Sequence, residues 1–269
     1  MTTRQLGTGL LLTSLCAHAS AATLVEYFDY GDTSGQLNTF GAAGGGWAGA
    51  WTSDSDPGYL SSGSLAYSSP GYASSSVGGR AGWGGTGGGG DVATRAFSAG
   101  LSGTIWVSAE MRYNRSVDNT AEVRLWLDGD DFIGMYNKQG HISVNGNSDS
   151  VSTMQSPVYA DDTTHHVLAR LITNASGVND SIELWVNADL SGGEAGLGAA
   201  DLVLDSGDYF GATLDEIGVS FRRGESTIDT IRISDEANGF QFVTTGVPEP
   251  GTAALALLGL GVLARRRRA

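Results

Sequence analysis

The sequence predicts an all-β protein: an antiparallel two-sheet jelly-roll sandwich, with a signal peptide before it and a single hydrophobic helix after it. Short runs of alternating apolar and polar residues recur at intervals of roughly ten residues, and turn dipeptides separate them. No stretch between the two terminal segments sustains helical spacing. Glycine, at 41 of 269 residues, has about twice its usual share, which suits a chain rich in turns. Residues 22–246 are long enough for one large β domain, between a signal peptide at 1–21 and a C-terminal hydrophobic segment at 247–269.

At the start, Arg4 precedes the apolar stretch Leu6–Ala17, and Ala19-Ser20-Ala21 places small residues where a signal peptidase reads. Cleavage is expected between Ala21 and Ala22. Leu15 is bulky where a lipoprotein site wants a small residue, so Cys16, the only cysteine, leaves with the signal peptide and no disulfide framework remains.

Leu24–Tyr30 is aromatic and β-branched and reads as the opening strand. Gly41–Trp51 is a loop pinned by aromatics, and Tyr59–Tyr67 holds a short strand around Leu65 and Tyr67. The glycine-dense stretch Ser74–Gly90 reads as a long mobile loop. Inside it, Gly82–Gly87 formally matches a dinucleotide-binding pattern, but no strand leads in and no helix follows. Period-two alternation then marks Thr104–Arg112, Glu122–Asp128, Phe132–Asn137, His141–Asn145, His165–Thr173, Ser181–Asn187, Asp215–Arg222, Thr227–Ser234 and Gly239–Thr244 as strands.

Gly103–Ser108, His165–Leu171, Ser181–Asn187 and Ile228–Ile233, in that order, resemble successive strands of the concanavalin A-like, laminin-G-like jelly rolls of bacterial surface proteins. The resemblance implies one domain from Leu24 to about Phe242, with glycan or protein binding as its common use and glycoside hydrolysis as a rarer one. Fold alone does not decide between them.

The tail opens with Val247-Pro248-Glu249-Pro250, continues as the apolar run Thr252–Ala264 and closes with Arg265, Arg266, Arg267 and Arg268. A helix over Gly251–Ala264, 14 residues, spans roughly 21 Å, short of the roughly 30 Å hydrocarbon core. The arginines hold their end in the cytoplasm, so the rest of the chain lies outside the inner membrane. These features together resemble the PEP-CTERM sorting signal of Gram-negative bacteria. The resemblance implies an exosortase-type transpeptidase as partner, cleavage near Pro248-Glu249-Pro250, and delivery to the cell surface or an exopolysaccharide matrix. A plain single-pass anchor is the alternative.

Without the two terminal segments the chain keeps 10 basic against 28 acidic residues, a net charge of −18. Such a domain repels nucleic acid and anionic lipid and suits cations, neutral glycans or solvent.

Little in the sequence signals catalysis. The resemblance to glycosidases of this fold calls for Glu-x-Asp-x-x-Glu, and no such run occurs. No mature cysteine, Gly-x-Ser-x-Gly or zinc spacing occurs either, and His165 and His166 fall on opposite strand faces. Asp128, Asp130 and Asp131 gather carboxylates on one turn and leave calcium open, against a solvated hairpin turn. Asp229 shares a face with Ile231 and Ile233 by alternation, so its carboxylate must be paired, for which a hydrogen bond to a neighbouring loop is expected.

Three of the six tryptophans, Trp106, Trp126 and Trp185, each fall on the polar face of their strand. On one sheet they would line a surface where sugars stack; alternatively they pack under long loops. The expected function is that of an exported, non-enzymatic surface or matrix protein with weak glycan binding. The alternatives are a glycan-active enzyme and a purely structural surface component.

Overall fold

The structure, a computed structural model, describes residues 22–30, 35–53, 58–75, 78–83, 92–114, 121–128, 131–135, 142–145, 154–155, 160, 162–175, 178–222 and 225–246. The signal segment, Asp130, and the sorting segment with its expected helix and its Pro248, Glu249, Pro250 and Arg265–Arg268 lie outside them. Among the described residues no helix is long and apolar enough to cross a membrane.

The strands are β1 (Thr23–Glu26), β2 (Tyr59–Ser62), β3 (Gly79–Gly82), β4 (Val92–Leu101), β5 (Thr104–Arg112), β6 (Glu122–Leu127) and β7 (Asp131–Met135). They continue as β8 (Ile142–Asn145), β9 (Met154–Gln155), β10 (Thr164–Ile172), β11 (Asp180–Val186), β12 (Leu202–Gly207), β13 (Leu214–Arg222) and β14 (Thr227–Ser234), and helix α1 (Gly239–Thr245) follows. They form two antiparallel sheets, as the alternation predicts. One has eight strands in the order β12-β11-β10-β5-β14-β3-β2, with β1 also on β14; the other has six in the order β4-β13-β6-β7-β8-β9. Between them, Ile105, Val107, Ala109 and Met111 of β5 join Val123, Leu125 and Leu127 of β6 and Ile217, Val219 and Phe221 of β13 in one buried cluster.

A second apolar layer covers the outer face of the larger sheet. Trp106, Leu168 and Trp185 on that face pack with Phe240, Phe242 and Val243 of α1 and with Tyr72 and Leu190 from loops. This overturns the strand expected at Gly239–Thr244. The Phe-Gln-Phe alternation there imitates a strand, but Phe240, Val243 and Thr244 at i, i+3 and i+4 are all buried, the spacing of one helix face. Gly246 closes the helix in the left-handed region at φ 71°.

Three further expectations change. The strand expected around Leu65 and Tyr67 lies earlier, as β2 at Tyr59–Ser62. β3 lies inside the stretch expected to be a mobile loop, paired with β2 and β14. Its glycines are what permit this: a Cβ at Gly79 would stand 2.7 Å from the Ser61 carbonyl oxygen, and one at Gly82 2.6 Å from Thr227 Cγ2. In β14 a bulge lies between Asp229 and Arg232, with Thr230 at φ 47°. The extra residue breaks the alternation. Asp229 therefore leaves the face of Ile231 and Ile233 and stands opposite Glu110 of β5.

The irregular stretch 35–53 is fastened by a buried ion pair. Arg95 Nη1 pairs with Glu26 Oε2, Arg95 Nε donates to Gly49 O at 3.0 Å, and Nη2 donates to Ala42 O at 3.0 Å. Glu26 also accepts from Tyr30 Oη at 2.6 Å, Trp51 Nε1 at 3.2 Å and the Phe28 amide at 2.6 Å. Removing one partner strands the other charge in the interior, which costs about 3–5 kcal/mol, whereas removing both does not. In urea unfolding, Arg95→Met should lose about that much, and Glu26→Gln combined with Arg95→Met should lose measurably less than Arg95→Met alone.

Candidate functional site

The structure brings two of the three tryptophans together and sets the third apart. Trp106 on β5 and Trp185 on β11 stack with centroids 6.0 Å apart, and the Phe240 ring meets Trp106 edge-on at 5.2 Å. Trp185 Nε1 donates to Gly198 O at 3.0 Å. At 3% and 6% exposure the two rings offer no stacking face to a sugar. Trp126 belongs to β6 in the other sheet, so no single surface carries all three.

Trp126 is half-buried on the outer face of the six-stranded sheet, and the cross-strand register builds a small platform around it. Phe132 stands opposite it on β7, with ring centroids 5.0 Å apart. On the other side it faces Gly218 of β13, and its Nε1 donates to Ser220 Oγ at 2.7 Å. Arg124, two residues earlier on the same face, lays its guanidinium 4.6 Å from the Phe132 centroid and 5.5 Å from that of Trp126. Its Nη2 donates to Glu122 Oε2 at 2.7 Å, and Arg222 Nη1 reaches Glu122 Oε1 at 3.4 Å. Glycines make the room: a Cβ at Gly218 would stand 2.6 Å from Val92 Cγ1 and 3.2 Å from Trp126 Cβ, and one at Gly134 2.9 Å from Arg124 Cα. Phe132, Glu122 and Ser220 are buried and hold the platform in place, so the part-exposed Trp126 ring and the Arg124 and Arg222 guanidiniums are the groups that can meet the apolar face and the hydroxyl edge of a sugar. Sequence alternation placed Arg124 beside Trp126 but gave no sign of Ser220 or Arg222, which sit on another strand.

The acidic turn is differently disposed. Asp128, at φ 51°, accepts the Asp215 and Glu216 amides on Oδ1 at 2.9 and 3.1 Å, and burial raises its carboxyl above the usual carboxylate range. Asp131 is 1% exposed. Among the described residues no group of three His, Cys, Asp or Glu side chains is arranged to hold a metal ion.

A row of ionisable residues lies under the second apolar layer. His166 of β10 stands opposite Glu110 of β5, which stands opposite Asp229 of β14, and all three are fully buried. Glu110 Oε1 accepts from Tyr72 Oη at 3.0 Å and Ser74 Oγ at 2.6 Å; Asp229 accepts the Leu65 amide at 2.8 Å and the Thr230 amide at 2.6 Å. These bonds clip segment 64–75 to the sheet, the use expected of Asp229. Burial raises both carboxyls, that of Asp229 to about 7. His165 turns to the opposite face, as the alternation predicts, and is fixed between Ala160 O and Asn187. The His166 ring lies 4.0 Å from that of Tyr72, and neither of its nitrogens meets a hydrogen-bond partner among the described residues.

A groove of about 490 Å³ lies along β1, lined by Glu26, Tyr30, Trp47, Arg95, Phe242 and Gly246 among others. Its charged members are Asp29 and the Glu26–Arg95 ion pair that fastens segment 35–53.

Residues 246–268 match the PEP-CTERM protein-sorting motif. The motif marks the chain as an exported, surface-sorted protein. No curated protein matches the chain. Among solved structures it is similar to a protein of unknown function from Shewanella oneidensis MR-1, at 12% identity and TM-score 0.44 over 87% of this chain and 96% of that one. It is also similar to galectin LEC-6 of Caenorhabditis elegans, at 13% and 0.32 over 50% and 84%. A third is carbohydrate-binding module CBM66 of Bacillus subtilis, at 11% and 0.34 over 67% and 91%.

Burial and the nearby Arg232 hold the His166 ring neutral, lowering its pKa to about 3. An unfolded histidine titrates near 6.5, so below that pH the unfolded chain takes up a proton that the buried ring refuses, and stability falls as pH drops toward 3. His166→Phe removes two unpaired buried nitrogens. It should raise the unfolding free energy, and its advantage should grow by up to about 1.4 kcal/mol per pH unit between pH 6 and 4. Urea titrations at several pH values read this directly.

Proposed function

We propose that this chain is an exported, non-enzymatic surface or matrix protein whose β-sandwich binds glycan on the outer face of the six-stranded sheet. The observation that carries the reading is the Trp126 platform: a half-buried indole beside the Arg124 and Arg222 guanidiniums, seated on buried Glu122 and Ser220 and given room by two glycines. Trp106 and Trp185 serve as the core of the second apolar layer. The sorting motif supports an exosortase-type transpeptidase as the processing partner, with the inner membrane as a transient tether and the surface or its polysaccharide as the destination.

An enzymatic reading has one feature in its favour, the cross-strand neighbours Glu110 and Asp229. Both carboxylates are fully buried and occupied by segment 64–75, so no substrate reaches them in this conformation.

Affinity electrophoresis or pull-down with the polysaccharide of the producing cells tests the reading. Trp126→Ala should weaken retention about tenfold, the equivalent of about 1.4 kcal/mol, without lowering thermal stability to match. Trp106→Ala should instead cost about 3–5 kcal/mol of stability. Equal retention by folded Trp126→Ala and parent would overturn the assignment.

A further inference from the structure

We propose that cleavage after Ala21 creates an N-terminal ammonium for which Asp235 is a preformed socket, so that the mature protein begins at Ala22 and is locked by its own new terminus. The inference rests on the reading of residues 1–21 as a signal peptide and adds what the cut does to the fold.

The Ala22 nitrogen donates to Asp235 Oδ1 at 2.6 Å, and the Asp235 amide returns a bond to Ala22 O at 3.3 Å. The second carboxylate oxygen, Oδ2, is held by the Ser102 amide at 3.3 Å, in the turn between β4 and β5. Thr23 pairs with Ser234 in the β1–β14 ladder, so the register brings the residue before β1 to the residue after β14. The carboxylate is thus fixed from two elements, with one oxygen directed at the nitrogen that cleavage would free. The small residues Ala19 and Ala21 place the cut at this bond.

In the hydrolysis, water adds its hydroxyl to the Ala21 carbonyl carbon and a proton to the Ala22 nitrogen, and a second proton from solvent makes the ammonium. A peptide amide gives Asp235 one neutral bond; an ammonium gives the same bond with a full charge, the stronger class. In sequence the charged residues nearest this bond are Arg232, Asp235 and Glu236; Arg232 is directed to the Val243, Thr244 and Ala73 carbonyls, and Ser102 contributes its amide. An α-amino group titrates near 7.7–8.0 when free, and a carboxylate partner raises that value in the fold. The stabilisation is therefore complete below about pH 7.7 and is lost as pH rises through the raised value.

The test uses the protein purified from its cells, its N-terminus read by mass spectrometry, and the Asp235→Asn variant. The expected result is a terminus at Ala22 and a melting temperature about 2–4 °C above that of the variant at pH 7, the gap at least halving by pH 10. Selective acetylation of the α-amino group of the parent should produce the same loss without any substitution. A terminus at Ala22 with a gap that stays constant to pH 10, and no effect of acetylation, would overturn the socket while leaving the signal peptide intact. A terminus elsewhere would overturn both.

Discussion

The larger sheet has to be covered on both faces, and most of the molecule follows from that. Its inner face meets the six-stranded sheet in an ordinary sandwich core. The outer face carries Trp106, Leu168 and Trp185, which cannot be left to water, so the chain supplies α1 and loop residues such as Tyr72 and Leu190 as a lid. That lid is fastened by polar groups as well as apolar ones. Arg232 donates to the Val243, Thr244 and Ala73 carbonyls, and Ser108 Oγ donates to Val243 O at 2.8 Å. On the outer face of the smaller sheet Arg124 and Trp126 stay partly exposed and Arg222 exposed, while Glu122, Phe132 and Ser220 are buried around them.

Alternation along the strands was a sound guide to what faces the inner core. The residues from Ile105 to Met111 on β5 and from Val123 to Leu127 on β6 lie where period two puts them, because one sandwich core imposes that period. It was a poor guide to what lies on the other side. The polar-face argument was the same for Trp106, Trp126 and Trp185, yet it cannot tell solvent from a second apolar layer built by residues far away in sequence. Nor can it see a bulge, which moved Asp229 from one face to the other through the single residue Thr230. Gly79 and Gly82 misled in the opposite direction: glycine density suggested a loose loop, where the absence of side chains allows close backbone packing.

The N-terminal part of the domain is held by a different physics. Among the described residues between Phe28 and Val92 the strands are the short β2 and β3, and charged hydrogen bonds do much of the fastening. Glu26 and Arg95 hold segment 35–53, and Glu110 and Asp229 hold segment 64–75. A strongly acidic chain thus uses several of its carboxylates internally as acceptors for backbone and hydroxyl groups.

The place of β14 in the larger sheet has a consequence for the order in which the molecule can form. This strand pairs with β1, β3 and β5, elements that precede it by more than a hundred residues, yet among the described residues it is the last strand. A polypeptide delivered N-terminus first cannot seat the middle of that sheet until Ser234 has emerged, and cannot close the lid until Gly246 has. Folding of this half is therefore a late event in the emergence of the domain, so a chain truncated before β14 would lack the strand that pairs with β1, β3 and β5.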